Sequence, residues 1–446
     1  MMRLAAPVVL PCDERCTVLR DAVVDVDAAG RITHLGPLAT APPPAGPVRT
    51  LTGVLLPGLV NAHAHTPMVA LRGLGGDLPL RRWLTEVMWP AEARLDADDV
   101  GPAMLVGALE MLGTGITTSV EMYFYNRAVV DAVLTAGSRA VVTPGIIAAP
   151  GWDRLGTWEQ MLDGISRWID ADGLRFGPGE RIELGYGPHA AYTLPPEALA
   201  AAGAAARERD ALLHIHVAET TDEDVVIRAQ HGSVPLLLEH LGVLGDGGSG
   251  RQARVLAAHA VHLSDADVTV LARHHTGVAH CPGSNSKLAS GIARLLDLRA
   301  AGIAVGLGTD GPASNDSLDL WDDLVLAARL ARLTSGDAAA LTAAQALLLA
   351  TRGGAAAIGR DDIGTLRAGA WADLVHLSAD DPAFAMGLDV PDGQLLANVV
   401  WGAGSRAVRD VWVAGEQVLD GGSSTRVDPA AAHAALRTRS GRFTAR

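Results

Sequence analysis

From residue 55 onward the chain alternates between two hydrophobic patterns. A short apolar, β-branched run ends in polar residues, and an Ala/Leu-rich stretch with helical spacing follows. The runs are "VLLPGLVNAHAH", "ITTSVEMY" (116–123), "AVVTPGII" (140–147), "IELGYGPHA" (182–190), "LLHIHVAE" (212–219), "VLAAHAV" (255–261), "GVAHCPGS" (277–284) and "IAVGLGTD" (303–310). Helical stretches such as 196–209, 221–241 and 317–333 stand between them. Eight strands alternating with helices predict an α/β fold whose parallel sheet closes into a (β/α)8 TIM barrel over 55–362.

The ends read differently. Residues 1–54 and 363–422 show short strands separated by turns. Hairpins are marginal alone, so these two segments are expected to combine into one small β-sandwich domain. Residues 66–110 exceed an ordinary βα loop and are expected to form a helical lid over the barrel mouth. Residues 423–446 predict a terminal helix with a basic tail.

Composition narrows the function. Hydrophobic residues make up 49% and charged residues 19%, which supports a large core and argues against disorder. The net charge is −14 and no Lys/Arg block could track phosphates, so nucleic acid is excluded as a partner. Cys12, Cys16 and Cys281 are too few and too scattered for a disulfide framework. The N-terminal apolar stretch is too short for a secretory signal, and no run approaches the roughly 18 apolar residues of a membrane span. A cytoplasmic protein that does not engage membranes is expected.

Chemistry gathers where the strands end. In "LLPGLVNAHAHTP" (55–67), His63 and His65 stand two apart on a strand, so both imidazoles face the same side. The other strand ends carry His189, then His214, His216 and Glu219, then His259 and His262, and finally Asp310. Barrel enzymes place their sites at these ends. His63, His65, His216 and Asp310 offer three imidazoles and a carboxylate, a donor set for a catalytic divalent ion with one position open to water. "GDGGSG" (245–250) follows a helix and lacks a lysine, so it reads as a loop and not as a phosphate cradle. "PCDERC" has a spacer too long for the P-C-x-x-C zinc motif.

At these positions the chain resembles the amidohydrolase superfamily, in its mononuclear aminohydrolase branch. That branch includes S-adenosylhomocysteine/methylthioadenosine deaminases, chlorotriazine hydrolases and guanine deaminases. The motifs that carry the resemblance are "PGLVNAHAHTPMVALRG", "GPHAAY", "HIHVAET", "AHAVHL", "SNSKLASGIA" and "GLGTDGPASNDSLDLW", within roughly 50 to 420.

The resemblance implies that His63, His65, His216 and Asp310 hold one divalent metal, with zinc ahead of iron. It makes Glu219 the proton shuttle and His259 the hydrogen-bond donor to the developing tetrahedral centre. Asp310 also accepts the proton of the attacking water. His189 would contact substrate, Glu92 in "WPAE" would bind ribose hydroxyls, and Trp89 and Met88 would wall the purine side. The branch carries an arginine where this chain has Pro144, and Arg154 is the candidate replacement for that charge. The only lysine, Lys287, follows strand 7 and not strand 4, which excludes a carbamate-bridged metal pair.

The implied reaction is hydrolytic deamination of an adenine-type nucleoside: adenosine, a 5′-deoxy or 5′-methylthio derivative, or S-adenosylhomocysteine. The substrate is a small molecule and the expected assembly is a homo-oligomer, dimer or tetramer. The alternatives are an aminohydrolase or chlorohydrolase of a free purine, pterin or triazine ring, and a metal-free scaffold of the same fold. His214 and His262 are left open between support and packing.

Overall fold

The computed structural model describes residues 1–245 and 253–442. Eight strands form the barrel: β1 (Leu59–Ala64), β2 (Ile116–Glu121), β3 (Arg139–Val142), β4 (Ile182–Pro188), β5 (Leu212–Val217), β6 (Arg254–His259), β7 (Gly277–His280) and β8 (Val305–Leu307). Each pairs in parallel with the next. The circle closes where the Asp310 N–H donates to the His63 carbonyl at 3.0 Å, beside a parallel bridge between Ala64 and Asp310. The (β/α)8 barrel predicted from hydrophobic spacing is therefore the observed fold. β1, β2 and β5 are buried at every position. Strands with helices on one face and packed side chains on the other require this.

Three elements depart from the simple pattern. The run 140–147 is not one strand: β3 stops at Val142 and pairing resumes only at Gly145–Ile146. Pro144 has no N–H to give a ladder, which breaks the strand there. The stretch 221–241 splits into helices Thr221–His231 and Val234–His240. Gly232 turns at φ +84°, and Ser233 caps the second helix through the Leu236 N–H. The segment after β1 contains short turns at Thr66–Leu71 and Leu80–Arg82, a π-wound turn at Trp83–Met88 and the helix Ala97–Gly113. Asp96 and Asp99 form a capping box that starts the last of these.

Strands from both chain ends join in one nine-stranded sheet. Val54–Pro57 pairs antiparallel with Leu374–Leu377 at the join. Leu4, Val24, Ile32, Leu55, Leu374 and Trp412 fill a buried apolar cluster of its own. A buried ion pair locks this sheet to the barrel: Arg139 Nε donates to Asp373 Oδ2 at 2.8 Å, and both side chains are 1% exposed. At Gly58, between Val54–Pro57 and β1, a Cβ would lie 1.9 Å from Thr117 Oγ1, so the chain can pass there only as glycine.

The last described residues are docked. Helix Pro429–Arg437 is followed by Arg439 and Arg442, which pair with Asp99 and Asp96 at 2.7 and 2.6 Å. No helix among the described residues is long and apolar enough to cross a membrane. The Gly-rich stretch 245–250 lies, apart from Gly245, outside the described residues.

Candidate metal centre and substrate pocket

The strand ends bring the histidines and the late aspartate to one point. His63 Nε2 and His65 Nε2 each lie 3.3 Å from Asp310 Oδ1, and His65 Nε2 lies 3.3 Å from His216 Nε2. Two overlapping groups, His63/His65/Asp310 and His63/His216/His259, each have their donor atoms within 4.8 Å of one another. His259 and Asp310 adopt left-handed backbone conformations, φ +68° and +58°, which turn the chain as β6 ends and just beyond β8. Non-glycine residues enter this region at a cost, and such strain concentrates at functional sites.

For His65 and His216, hydrogen bonds on the far side of the ring decide which nitrogen faces the centre. His65 Nδ1 donates to the Met122 carbonyl at 2.6 Å, and His216 Nδ1 donates to the His189 carbonyl at 2.7 Å. A carbonyl oxygen only accepts, so the proton sits on Nδ1 and Nε2 is left for a ligand. Burial depresses His216 far below the usual imidazole value and His63 to about 3, so both are neutral near pH 7. With each Nδ1 turned to a carbonyl, the Nε2 atoms of His65 and His216 face each other across 3.3 Å, an arrangement that a cation between them satisfies. His63 Nε2 is buried and has no hydrogen-bond partner. Three imidazole nitrogens and one carboxylate thus fit a divalent ion.

Asp310 is held by three donors. Ser284 Oγ and Ser314 Oγ reach Oδ2 at 2.6 and 2.9 Å, and the Gly311 N–H reaches Oδ1 at 2.8 Å. His259 Nε2 lies 3.8 Å from Glu219 Oε1 and 3.9 Å from Asp310 Oδ2. Its Nδ1 donates to Asn285 Oδ1 at 2.9 Å, which aims Nε2 inward. Burial would lower His259, but Glu219, Asp310 and Asn285 outweigh it and raise its pKa. Glu219 is buried, and loss of hydration pushes its carboxyl up to about 7 against the pull of His259.

Above the cluster lies a pocket lined by Met68, Trp83, Trp89, Phe124, Ile147 and Trp152, among others. Its innermost space is about 60 Å3. Past Leu80, Leu84, Trp89 and Tyr192 it meets an outer cavity of about 540 Å3, bordered also by Arg81, Asp222 and Glu223. The outer volume falls within the usual range of small-molecule sites. Glu92 and Tyr123 line the inner pocket, both buried. Burial raises Glu92 to about 7, with the Tyr123 hydroxyl and the Arg154 charge opposing the rise.

Not every sequence candidate is part of this assembly. Trp89, Glu92 and His189 line the pocket. Met88 does not: it is fully buried in the apolar core, because the π-wound turn carries its side chain inward. Arg154 is also absent from the lining. Its guanidinium is occupied by the Tyr125 hydroxyl at 2.6 Å and the Glu92 carbonyl at 2.9 Å. Lys287 bonds to Asp316 and the Ala313 carbonyl, and His262 to the Ser290 carbonyl. Cys281 is buried as a free thiol. Ser284, Asn285 and Ser314 sit inside motifs visible in the sequence, but their reach to Asp310 and His259 could be seen only in three dimensions.

Comparison with known proteins places this geometry. The amidohydrolase family model matches residues 54–418. A curated relative from Pelotomaculum thermopropionicum, named 5-methylthioadenosine/S-adenosylhomocysteine deaminase, is 39% identical over 90% of this chain and 89% of its own length. A crystal structure of an adenosine deaminase from Xanthomonas campestris with bound zinc superposes with a TM-score of 0.90 at 34% identity, covering 99% of this chain and 98% of that one. An atrazine chlorohydrolase from Arthrobacter aurescens, complexed with zinc, superposes at 0.87 with 24% identity over 99% of this chain and 100% of that one, and shares the fold. The chain belongs to the amidohydrolase family.

Proposed function

We propose that this chain is a metal-dependent aminohydrolase that replaces the exocyclic amine of an adenine-type nucleoside with oxygen and releases ammonia. The observation that carries the reading is the convergence of His63, His65, His216 and Asp310 on one point, with the Glu219 carboxyl beside them. The deaminase names of a relative at 39% identity and of a zinc-bound structure at 34% support the substrate class.

The four residues would hold one divalent ion, zinc or else iron. Such an ion supplies a water nucleophile near neutral pH by lowering the pKa of the water it binds. Asp310, held by Ser284 and Ser314, would accept a proton from the attacking water. Glu219 enters protonated and gives its proton to a ring nitrogen, which makes the amine-bearing carbon electrophilic. Its carboxylate then takes the second water proton from the hydroxyl of the tetrahedral carbon and hands it to the departing amine, and the proton left on Asp310 restores Glu219 for the next turnover. A carboxyl that titrates near 7 suits both transfers. His259 donates from Nε2 to the oxygen of the tetrahedral carbon, a preorganised bond that strengthens as charge develops. Glu92 accepts from ribose hydroxyls beside Tyr123, and His189 contacts the base while Trp89 walls it. The outer cavity takes the 5′ substituent.

An ammonia-release screen of aminated purine nucleosides, bases, pterins and triazines tests the class. Glu219→Gln should keep its metal and lose at least about 100-fold in kcat, because the amide cannot exchange a proton. Undiminished ammonia release by this variant removes the shuttle role. The inner pocket of about 60 Å3 would receive the ring edge of a free base as well as that of a nucleoside. Glu92→Ala separates the two readings, since it should impair nucleosides and spare free bases. A folded protein that takes up no metal fits only a scaffold.

A further inference from the structure

The proton positions of two ligands are fixed by backbone carbonyls, but that of His63 is not. Its Nδ1 meets another imidazole, His214 Nε2, at 2.7 Å. His214 Nδ1 meets the Thr143 hydroxyl at 3.0 Å, and that hydroxyl lies 3.0 Å from the Glu121 carbonyl oxygen. His63 and His214 are fully buried, as is Thr143. From the metal-ligand reading above, we infer that His214 and Thr143 are positioning residues that set the His63 tautomer and so present its Nε2 lone pair to the cation.

The direction follows from counting donors. A threonine hydroxyl has one proton, and the Glu121 carbonyl is an acceptor only. When Thr143 donates to that carbonyl, its oxygen is free to accept the proton of His214 Nδ1. His214 Nε2 is then bare and accepts the proton of His63 Nδ1. All three hydrogen bonds are made, and His63 Nε2 carries a lone pair toward His65 and Asp310. An imidazole ring with a single N–H donates from only one of its two nitrogens, so a proton on His214 Nδ1 leaves Nε2 as an acceptor. If the hydroxyl turned to donate to His214 instead, every proton in the chain would shift one place, and His63 would point an N–H at the cluster. That state excludes a cation. Hydrogen-bonded partners behind ligating histidines typically contribute 10- to 100-fold to metal affinity.

Zinc affinity of the metal-stripped, folded protein tests this by competition with a chromophoric chelator, alongside the melting temperature of each apo variant. Thr143→Val keeps the volume and removes the hydroxyl, and His214→Leu removes both ring nitrogens. Each should weaken zinc binding about 10- to 100-fold. Thr143→Ser keeps the hydroxyl. His214→Gln can accept from His63 through Oε1 and donate to Thr143 through Nε2. Both should escape the loss of about 10- to 100-fold seen in the apolar variants, because the hydrogen-bonding partner is preserved. A residue that only packs would show up as a lower apo melting temperature, with no rescue by the conservative variants. Wild-type affinity in Thr143→Val and His214→Leu overturns the inference, and so does a loss in the conservative variants equal to that in the apolar ones. If the wild-type protein itself takes up no zinc, the metal reading fails and takes this inference with it, a result distinct from either of the others.

Discussion

Glu92 gives a prediction whose size can be worked from the structure. Its side chain is in a residue only 7% exposed, and burial pushes its carboxyl from an ordinary 4.5 to about 7, partly offset by Tyr123 and Arg154. The folded protein therefore holds this proton more tightly than the unfolded chain does. Stability associated with it is complete below the unfolded value and is lost as pH rises through the window from 4.5 to about 7. Across that window the loss comes to about 3 kcal/mol. Glu92→Gln mimics the protonated carboxyl at every pH, so it should match wild type near pH 4.5 and be more stable above pH 7. An unfolding entropy of about 2.1 cal/mol/K per residue over 446 residues turns 3 kcal/mol into a melting shift of about 3 °C. Melting curves of both proteins, metal-loaded and measured from pH 4.5 to 8.5, give this difference with the protonation of metal ligands common to both. A difference that stays constant across the window would refute the buried, neutral Glu92. A difference that reverses sign would mean that an unseen partner favours the charged form.

Three further outcomes follow from other parts of the molecule. Asp373→Ala leaves the Arg139 guanidinium buried without its carboxylate, which should destabilise the protein by about 3–5 kcal/mol in thermal or urea melts; a loss below about 1 kcal/mol would mean that the pair does not hold the end sheet to the barrel. His259→Ala should retain one metal per chain and lose about 10²–10³ in kcat, measured by metal analysis and ammonia release. Loss of the metal in that variant would instead make His259 a ligand, in keeping with the His63/His216/His259 grouping. Zinc added to stripped protein at about 100 times its Kd should stabilise it by about 2.7 kcal/mol, read as a melting rise of about 3 °C; a melting temperature indifferent to zinc contradicts a site built in the folded state.

Local periodicity determined the barrel and the identity of its rim. Apolar, β-branched runs alternate with helical stretches wherever strands are covered on both faces, and that signal needs no knowledge of neighbours. The His63–Ala64–His65 spacing put two imidazoles on one side because strand residues repeat every two, and the other strand ends presented the remaining candidates. The features that only the tertiary structure decided depend on contacts between residues far apart in the chain. Two departures are exceptions, local and readable in the sequence: Pro144 interrupts β3 because it has no N–H for the ladder, and Gly232, at φ +84°, splits the helical stretch. The π-wound turn sent Met88 into the core and left Trp89 in the pocket. Arg154 was consumed by Tyr125 and Glu92, a pairing invisible to a linear pattern. The roles of Ser284, Asn285 and Ser314 came from hydrogen bonds to strand ends 4 to 26 residues away. A residue's type and spacing decide which side chains stand at the rim. Their protons, partners and burial are set by side chains that meet only when the sheet closes.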